Sequence, residues 1–416
     1  MFMPIHKKFE LTNAQEQLLR TTTIDDQHPG SILRDFQTLI NFMAETEPQL
    51  TTTLQLSMRS LEPLNSLMTR PLQHGLTRPQ QKSFPHINGL FWLLRASGLT
   101  RVDVSGSKPR LVLDEQARQS WESLNPTERY CTLLELWTMR AAPEIINDRS
   151  GFGMNSALIG VRDLWTRIPD DGMVVDRDKA HLLTYFPGYH NVALLEMFGW
   201  LEVRSEPAVA GIGWRIASLH RTAFGDALLT LLQTVAFGEA DDDDETMLYF
   251  RFDHQQDIPT GVLQPGIQPY FPAWQHNLVL PGAEFRPGLF VFKAALGKDL
   301  WRRISIPAEA TLDELSDAIL MAYKFDDDHL YRFVCTNRFG AQNEYNHPIM
   351  EEPPFTSEVR IGDLPLSVGE SMLYNFDFGD NWEFTLILER IDAPNPRQES
   401  AKILERVGRS PKQYRY

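Results

Sequence analysis

The chain is poor in cysteine. Its 416 residues include two, Cys131 and Cys335, with no short spacing between them. That excludes a disulfide scaffold and a cysteine-based zinc finger, and it suits a reducing compartment. Long apolar runs are missing as well. No stretch of about 18 apolar residues occurs, so no membrane span is expected. The first residues, MFMPIHKKFELTNAQEQLL, hold two lysines but no apolar core of signal-peptide length. The expected location is the cytoplasm, with no membrane partner. Several catalytic signatures are also lacking. There is no Gly-x-Ser-x-Gly elbow, no phosphate loop and no His-Glu-x-x-His helix. GFGMNSALIG at 151–160 has Gly151 and Gly153, but its third glycine is misplaced and no strand precedes it. On these grounds no catalytic residue, metal or cofactor is assigned.

What is present is globular. Hydrophobic residues make up 42% and charged residues 23%, which excludes a fibrous or wholly disordered chain. The length corresponds to two or three domains. Net charge is −15, which argues against a protein that coats nucleic acid with its whole surface. The charge is uneven: residues 1–240 carry 23 basic and 26 acidic side chains, and residues 241–416 carry 17 and 29. Within the first part, residues 51–110 form a basic island. Arg59, Arg70, Arg78, Lys82, Arg95, Arg101, Lys108 and Arg110 face only Glu62 and Asp103. Such an island reads as a footprint for phosphate, or as a solvated surface with its charges on several faces. Between the two parts lies FGEADDDDETM. The run from Asp241 to Asp244 cannot be buried and is expected to be a solvated linker.

Residues 29–46 place Ile32, Phe36, Leu39, Ile40 and Met43 at helical spacing. At LNPTERYCTLLELWTMRA, Asn125 can cap, Pro126 suits the first helical position, and Glu128 completes a capping box. Tyr130, Leu133, Leu134 and Trp137 then form an apolar stripe that reads as core. Two longer stretches share one pattern. In residues 86–124 a helix ends at Gly98, LTRVDV and RLVLDE form a hairpin across SGSKP, and QARQSWESL resumes as helix. In residues 192–233 a helix ends at Gly199, WLEVRS and WRIASL pair, and AFGDALLTLL is helical. A glycine tolerates the left-handed conformation that ends a helix. Helix, glycine, hairpin, helix is the recognition half of a winged helix-turn-helix domain. We therefore expect a helical segment over 1–59, winged-helix-like units over 60–145 and 150–236, and an acidic, extended connection over 237–284. The alternative is one mixed helical domain with two small hairpins. In a DNA-reading winged helix, the helix before the wing enters the major groove and cations at the wing tip touch phosphate. The first such helix offers only His86, Asn88 and Arg95 as readers, and its wing offers Arg101, Lys108 and Arg110. The second helix carries no cation. The candidate nucleic-acid contacts are Arg70, Arg78, Lys82, Arg95, Arg101, Lys108 and Arg110.

From about residue 289 the pattern changes. LFVFKAAL and WRRISI read as paired strands. TLDELSDAILMAYKF reads as a helix capped by Thr311 with Glu314 completing a capping box. HLYRFVCT, SEVRI, ESMLYNFDF and WEFTLILERI read as further strands. The expected fold class is α+β: a mainly helical N-terminal region with winged-helix-like units, then an antiparallel sheet with one packed helix over residues 285–416.

Three segments here resemble the plasmid pRiA4b ORF-3-like family over roughly residues 285–392, and weakly in the SPKQY tail. Trp301 and Arg302 match the Trp-Arg that opens its second strand. Asp327, Asp328, His329, Leu330 and Phe333 match its Asp-Asp-His-Leu-x-x-Phe element. Asp377, Phe378, Gly379, Asp380 and Trp382 match its Tyr-Asp-Phe-Gly-Asp-x-Trp signature, with Phe376 at the tyrosine position. Many members have a histidine two residues after that tryptophan, where this chain has Phe384. The resemblance implies the fold, and a link to mobile elements and DNA transactions. The signature also reads as a tight turn, with aspartates accepting backbone N–H groups, glycine supplying positive φ, and Phe378 and Trp382 packing on the core. The functional expectation is a non-enzymatic DNA-associated or regulatory adaptor. Its N-terminal half would contact double-stranded DNA, and its acidic C-terminal domain would bind a protein or small ligand. The alternatives are a metal-dependent hydrolase or nuclease using His329, Asp377 and Asp380, and a pure protein-interaction module.

Overall fold

A computed structural model of the chain describes residues 10–103, 108–140, 157–237, 260–280, 285–339 and 342–414. The aspartate run at 241–244 and the glycines at 151 and 153 lie outside the described residues. The chain forms two compact units, one of Met1–Val102 with Pro109–Leu280 and the other of Asp103–Lys108 with Pro281–Tyr416. Among the described residues, no helix is long and apolar enough to cross a membrane.

The first unit is mainly helical. In order it runs α1 (Asn13–Thr21), α2 (Ile32–Thr46), α3 (Met58–Leu67), α4 (Pro85–Ser97), β1 (Thr100–Asp103), β2 (Arg110–Leu113), α5 (Glu115–Ser123) and α6 (Pro126–Met139). It continues with α7 (Ala157–Arg167), β3 (Met173–Val174), α8 (Arg177–Tyr185), α9 (Tyr189–Met197), β4 (Leu201–Ser205), β5 (Ile216–Arg221) and α10 (Ala223–Phe237). Both helix–glycine–hairpin–helix stretches form as their patterns predict. The second hairpin gains a short third strand, in the order β3-β5-β4. The caps form too: Asn125 and Glu128 make the reciprocal capping box at the start of α6.

Helix α4 is the hub of this unit. Every one of its residues is buried, and it packs on α9, α6 and α2. Gly89 sets its approach to α9, because a Cβ there would lie 2.7 Å from the Leu194 side chain. The stripe on α6 is core: Trp137 stacks on Phe198 at 5.1 Å, and the Tyr130 hydroxyl donates to the Phe198 carbonyl at 2.9 Å.

Residues 260–280 correct the expected domain boundary. They pack into the first unit, with Ile267 and Trp274 fully buried. Two carboxylates seven residues apart on α6 hold them there. Glu128 accepts the N–H groups of Gln275 and His276 at 3.1 and 2.8 Å, and Glu135 those of Gly261 and Leu263 at 2.6 and 2.8 Å. Burial raises the Glu135 pKa, and these N–H groups partly offset the shift.

The second unit contains β6 (Leu289–Gly297), β7 (Leu300–Pro307), α11 (Leu312–Tyr323), β8 (Tyr331–Thr336), β9 (Gln342–Asn346), β10 (Ser371–Phe376), β11 (Trp382–Asp392) and β12 (Lys402–Val407). The strands form one antiparallel sheet in the order β12-β7-β6-β11-β10-β8-β9. The side-chain period of two puts Phe290, Phe292, Phe333, Tyr374, Phe384 and Leu386 into one buried cluster with Leu315 and Ile319 of α11. The Ser316 and Tyr374 hydroxyls join helix to sheet at 2.6 Å. Thr311 and Glu314 cap α11 as the sequence predicts. The expected strand over SEVRI does not form. It yields a single bridge, Thr311 to Arg360, and a turn of 3-10 helix over Ile361–Asp363. Its alternation is met by burial of Ile361 against the core rather than by strand pairing.

Candidate functional site

The seven candidate cations divide into three groups. Arg95 lies on α4 at 1% exposure, and its Nε and one terminal nitrogen have no hydrogen-bond partner. Burial lowers its pKa to about 10. A guanidinium sealed beneath the surface does not meet a phosphate, so Arg95 leaves the candidate set. His86 and Asn88, its proposed companions as base readers, are buried as well. Arg70 and Arg110 are engaged internally, Arg70 with Glu196 at 2.7 Å and Arg110 with Glu47 at 3.8 Å. Arg78, Lys82, Arg101 and Lys108 are exposed. Arg78 and Lys82 precede α4, whereas Arg101 and Lys108 belong to the hairpin behind it.

In the second unit, the three motif segments separate into a structural pair and a surface cluster. Arg302 is structural. Its guanidinium donates to the carbonyls of Ala322, Trp301 and Val407 and to the Ser410 hydroxyl, at 2.6 to 3.1 Å, and stacks on the Tyr323 ring at 4.4 Å. It thus places a cation at the last turn of α11, where the helix dipole favours one, and ties β12 to the sheet. Its neighbour Trp301 lies between the Lys293 ammonium and the Arg303 guanidinium, at 4.8 and 5.0 Å.

The surface cluster joins the loop after α11 to the turn between β10 and β11. Asp377 sits at φ +55°, in the left-handed region. Its N–H donates to the Leu330 carbonyl, and its carboxylate accepts the N–H groups of Gly379 and Asp380 at 3.0 and 3.3 Å. The tight turn of the signature forms, but Asp377 and Asn381 take the positive φ expected of Gly379. His329 stands beside it, its Nε2 at 3.5 Å from Asp377 Oδ2 and 3.7 Å from Asp328 Oδ1. The tail completes the cluster, with Tyr414 donating its hydroxyl to Asp328 and Gln413 donating to the same carboxylate at 3.0 Å. Hydrogen bonding to Asp328 raises the Tyr414 pKa. Trp382 packs edge-on to Phe325 at 4.9 Å, beneath the turn. Phe378 does not join it on the core as expected: at the tip of the turn it is 42% exposed, with the Arg332 guanidinium 5.5 Å from its ring. Asp327 and Asp380 are exposed.

The arrangement brings together His329, Asp328 and Asp377, but Asp380 contributes only its backbone to the turn. Among the described residues, no group of three histidine, cysteine, aspartate or glutamate side chains is placed to hold a metal ion. Phe384 is buried on the Tyr323 ring at 4.9 Å. The roles of Gln413 and Tyr414 had no signal in the sequence beyond the weak match of the tail.

Residues 294–413 match the family model described as plasmid pRiA4b ORF-3-like protein. The match takes in the Trp-Arg pair, both aspartate motifs, α11 and Gln413, so the pRiA4b ORF-3-like region covers most of the sheet and of the surface cluster. A solved structure of a protein of unknown function from Methanosarcina mazei Go1 is similar at 23% identity. It covers 29% of this chain and 70% of that one, with a TM-score of 0.26. No curated protein matches the chain.

Proposed function

We propose that the protein is a non-enzymatic adaptor that associates with double-stranded DNA through a winged-helix-like unit and engages a partner through its pRiA4b ORF-3-like domain. The observation that carries the first half is the contrast between α4 and its hairpin. The helix has no exposed residue to place in a groove, whereas Arg101 and Lys108 are exposed on the hairpin, with no ion pair among the described residues. The contact is therefore with backbone phosphate, led by the hairpin, and insensitive to base sequence. The second half rests on Phe378, an exposed aromatic ring at the tip of a turn fixed by Asp377, beside Arg332 and His329. Aromatic and arginine side chains of this kind anchor protein contacts.

Retention of the full chain on random-sequence duplex DNA, measured against salt, tests the DNA half. Arg101→Glu combined with Lys108→Glu is expected to reduce the log–log salt slope by about 2 and weaken binding equally for all sequences. No retention at low salt, or retention unchanged in the double variant, overturns it.

A further inference from the structure

We infer that the loop Asp326–Asp328 of the second unit is a peptide-recognition site that reads a glutamine side chain, and that the chain's own residues 409–414 occupy it in place of a partner. The inference rests on the reading that this domain engages a partner. It supplies that partner's chemistry: an extended segment in which a tyrosine follows a glutamine.

The receiving side is fixed by the fold. Lys324 ends α11 in the left-handed region, at φ +60°. Phe325 is buried beside Trp382. Beyond the loop, the Leu330 carbonyl accepts the N–H of Asp377 at 3.0 Å. The loop is therefore pinned on both sides. It presents the N–H and C=O of Asp326 and the carboxylate of Asp328 to the segment that crosses it.

The occupant is held in another way. Residues 409–413 form no helix or strand, and among the described residues they make no backbone–backbone hydrogen bond. Side chains attach them. The Ser410 hydroxyl accepts from Arg302 at 2.7 Å. Arg409 and Lys412 are exposed, whereas Gln413 is buried. Gln413 Oε1 accepts the Asp326 N–H at 2.5 Å, and Nε2 donates to the Asp326 carbonyl at 3.1 Å and to the Asp328 carboxylate at 3.0 Å. Tyr414 donates its hydroxyl to that same carboxylate.

This pairing selects an amide. A side chain that accepts from the N–H and donates to the C=O of one residue needs both functions at its tip. Glutamate would set its charge against the Asp326 carbonyl and Asp328, and lysine has nothing to accept with. A segment fastened by side chains alone belongs to the low-stability end of a fold and opens locally. A partner that presents the same two side chains makes the same contacts. It competes with a tethered occupant whose effective concentration is on the order of millimolar, so residues 409–414 act as a plug.

Titration calorimetry on the full chain with a blocked Arg-Ser-Pro-Lys-Gln-Tyr peptide tests the site. Gln413→Ala empties the amide position and is expected to bind the peptide one per chain, with a Kd at least about tenfold lower than the parent's. The same peptide with glutamate in place of glutamine should bind at least about tenfold more weakly. Tyr414→Phe keeps Gln413 and loosens the plug less, so its Kd should lie between those of the parent and Gln413→Ala, which keeps the test open if Gln413→Ala does not fold. Phe378→Ser added to Gln413→Ala should leave the Kd unchanged, so failure here is distinguishable from failure of the Phe378 contact. No saturable binding to either plug variant, equal binding to parent and variants, or equal binding of the glutamate peptide overturns the inference. Dimerisation of the parent that Gln413→Ala abolishes also overturns it, because the segment bound in trans would then be a second copy's tail.

Discussion

Each unit of the molecule buries an arginine, and the two are treated in opposite ways. Arg302 in the sheet unit gives its donors to three carbonyls and a hydroxyl and lays its face on Tyr323. Arg95 in the helical unit reaches the same depth with its Nε and one terminal nitrogen unpaired among the described residues. The difference shows what each unit does with polar groups. In the sheet unit, motif residues are spent on holding α11, β12 and the β10–β11 turn together. In the helical unit, Arg95 and His86 are left unsatisfied, and the fold tolerates them because apolar packing around α4 is extensive.

The contrast can be broken most sharply at Arg302. Arg302→Met leaves the Ala322 and Val407 carbonyls without their donor and is expected to cost about 3 kcal/mol in urea unfolding. A loss below about 1 kcal/mol would make the two arginines equivalent.

Arg95→Met should act in the other direction. Replacing an unpaired buried charge with an apolar side chain of similar length is expected to stabilise the chain by about 1–2 kcal/mol. The pH dependence gives a second reading. With its pKa lowered by burial to about 10, Arg95 binds its proton less tightly in the folded than in the unfolded chain. Its cost is complete below pH 10 and fades as pH rises above that. That alkaline gain should vanish in Arg95→Met. A destabilised variant with the gain intact would show that Arg95 has a partner.

The smallest expected effect is at Asp377. Asp377→Ala puts a side chain ill suited to φ +55° into the turn and removes the acceptor, at about 1–2 kcal/mol. Asp377→Asn keeps both the left-handed tolerance and the acceptor, and should cost under about 0.5 kcal/mol. Equal losses would transfer the role of Asp377 from the turn to its contact with His329.

Elements with strong local signals were legible in the sequence. The Asn125–Glu128 and Thr311–Glu314 capping boxes form, and Gly98 and Gly199 end their helices with positive φ. The missed strands, β9 (QNEYN) and β12 (KILERV), lie at the two edges of the sheet, where one face and one edge meet water and apolar alternation is not required. The aspartate motifs were legible through their family resemblance, but their junction with Gln413 and Tyr414 depends on a tertiary return of the chain. Arg95 was misread because a charged residue on an apolar helix signals exposure by default, and burial on all sides of α4 overrides that signal.

The two carboxylates of α6 also decide where the chain can be divided. A fragment ended after α10 would lose Ile267 and Trp274 from its interior and leave Glu128 and Glu135 deprived of the four amide donors supplied by residues 261–276. The natural seam lies later, after Leu280. A dissection that respects it keeps the helical half whole, even though the intervening acidic stretch invites a cut some forty residues too soon.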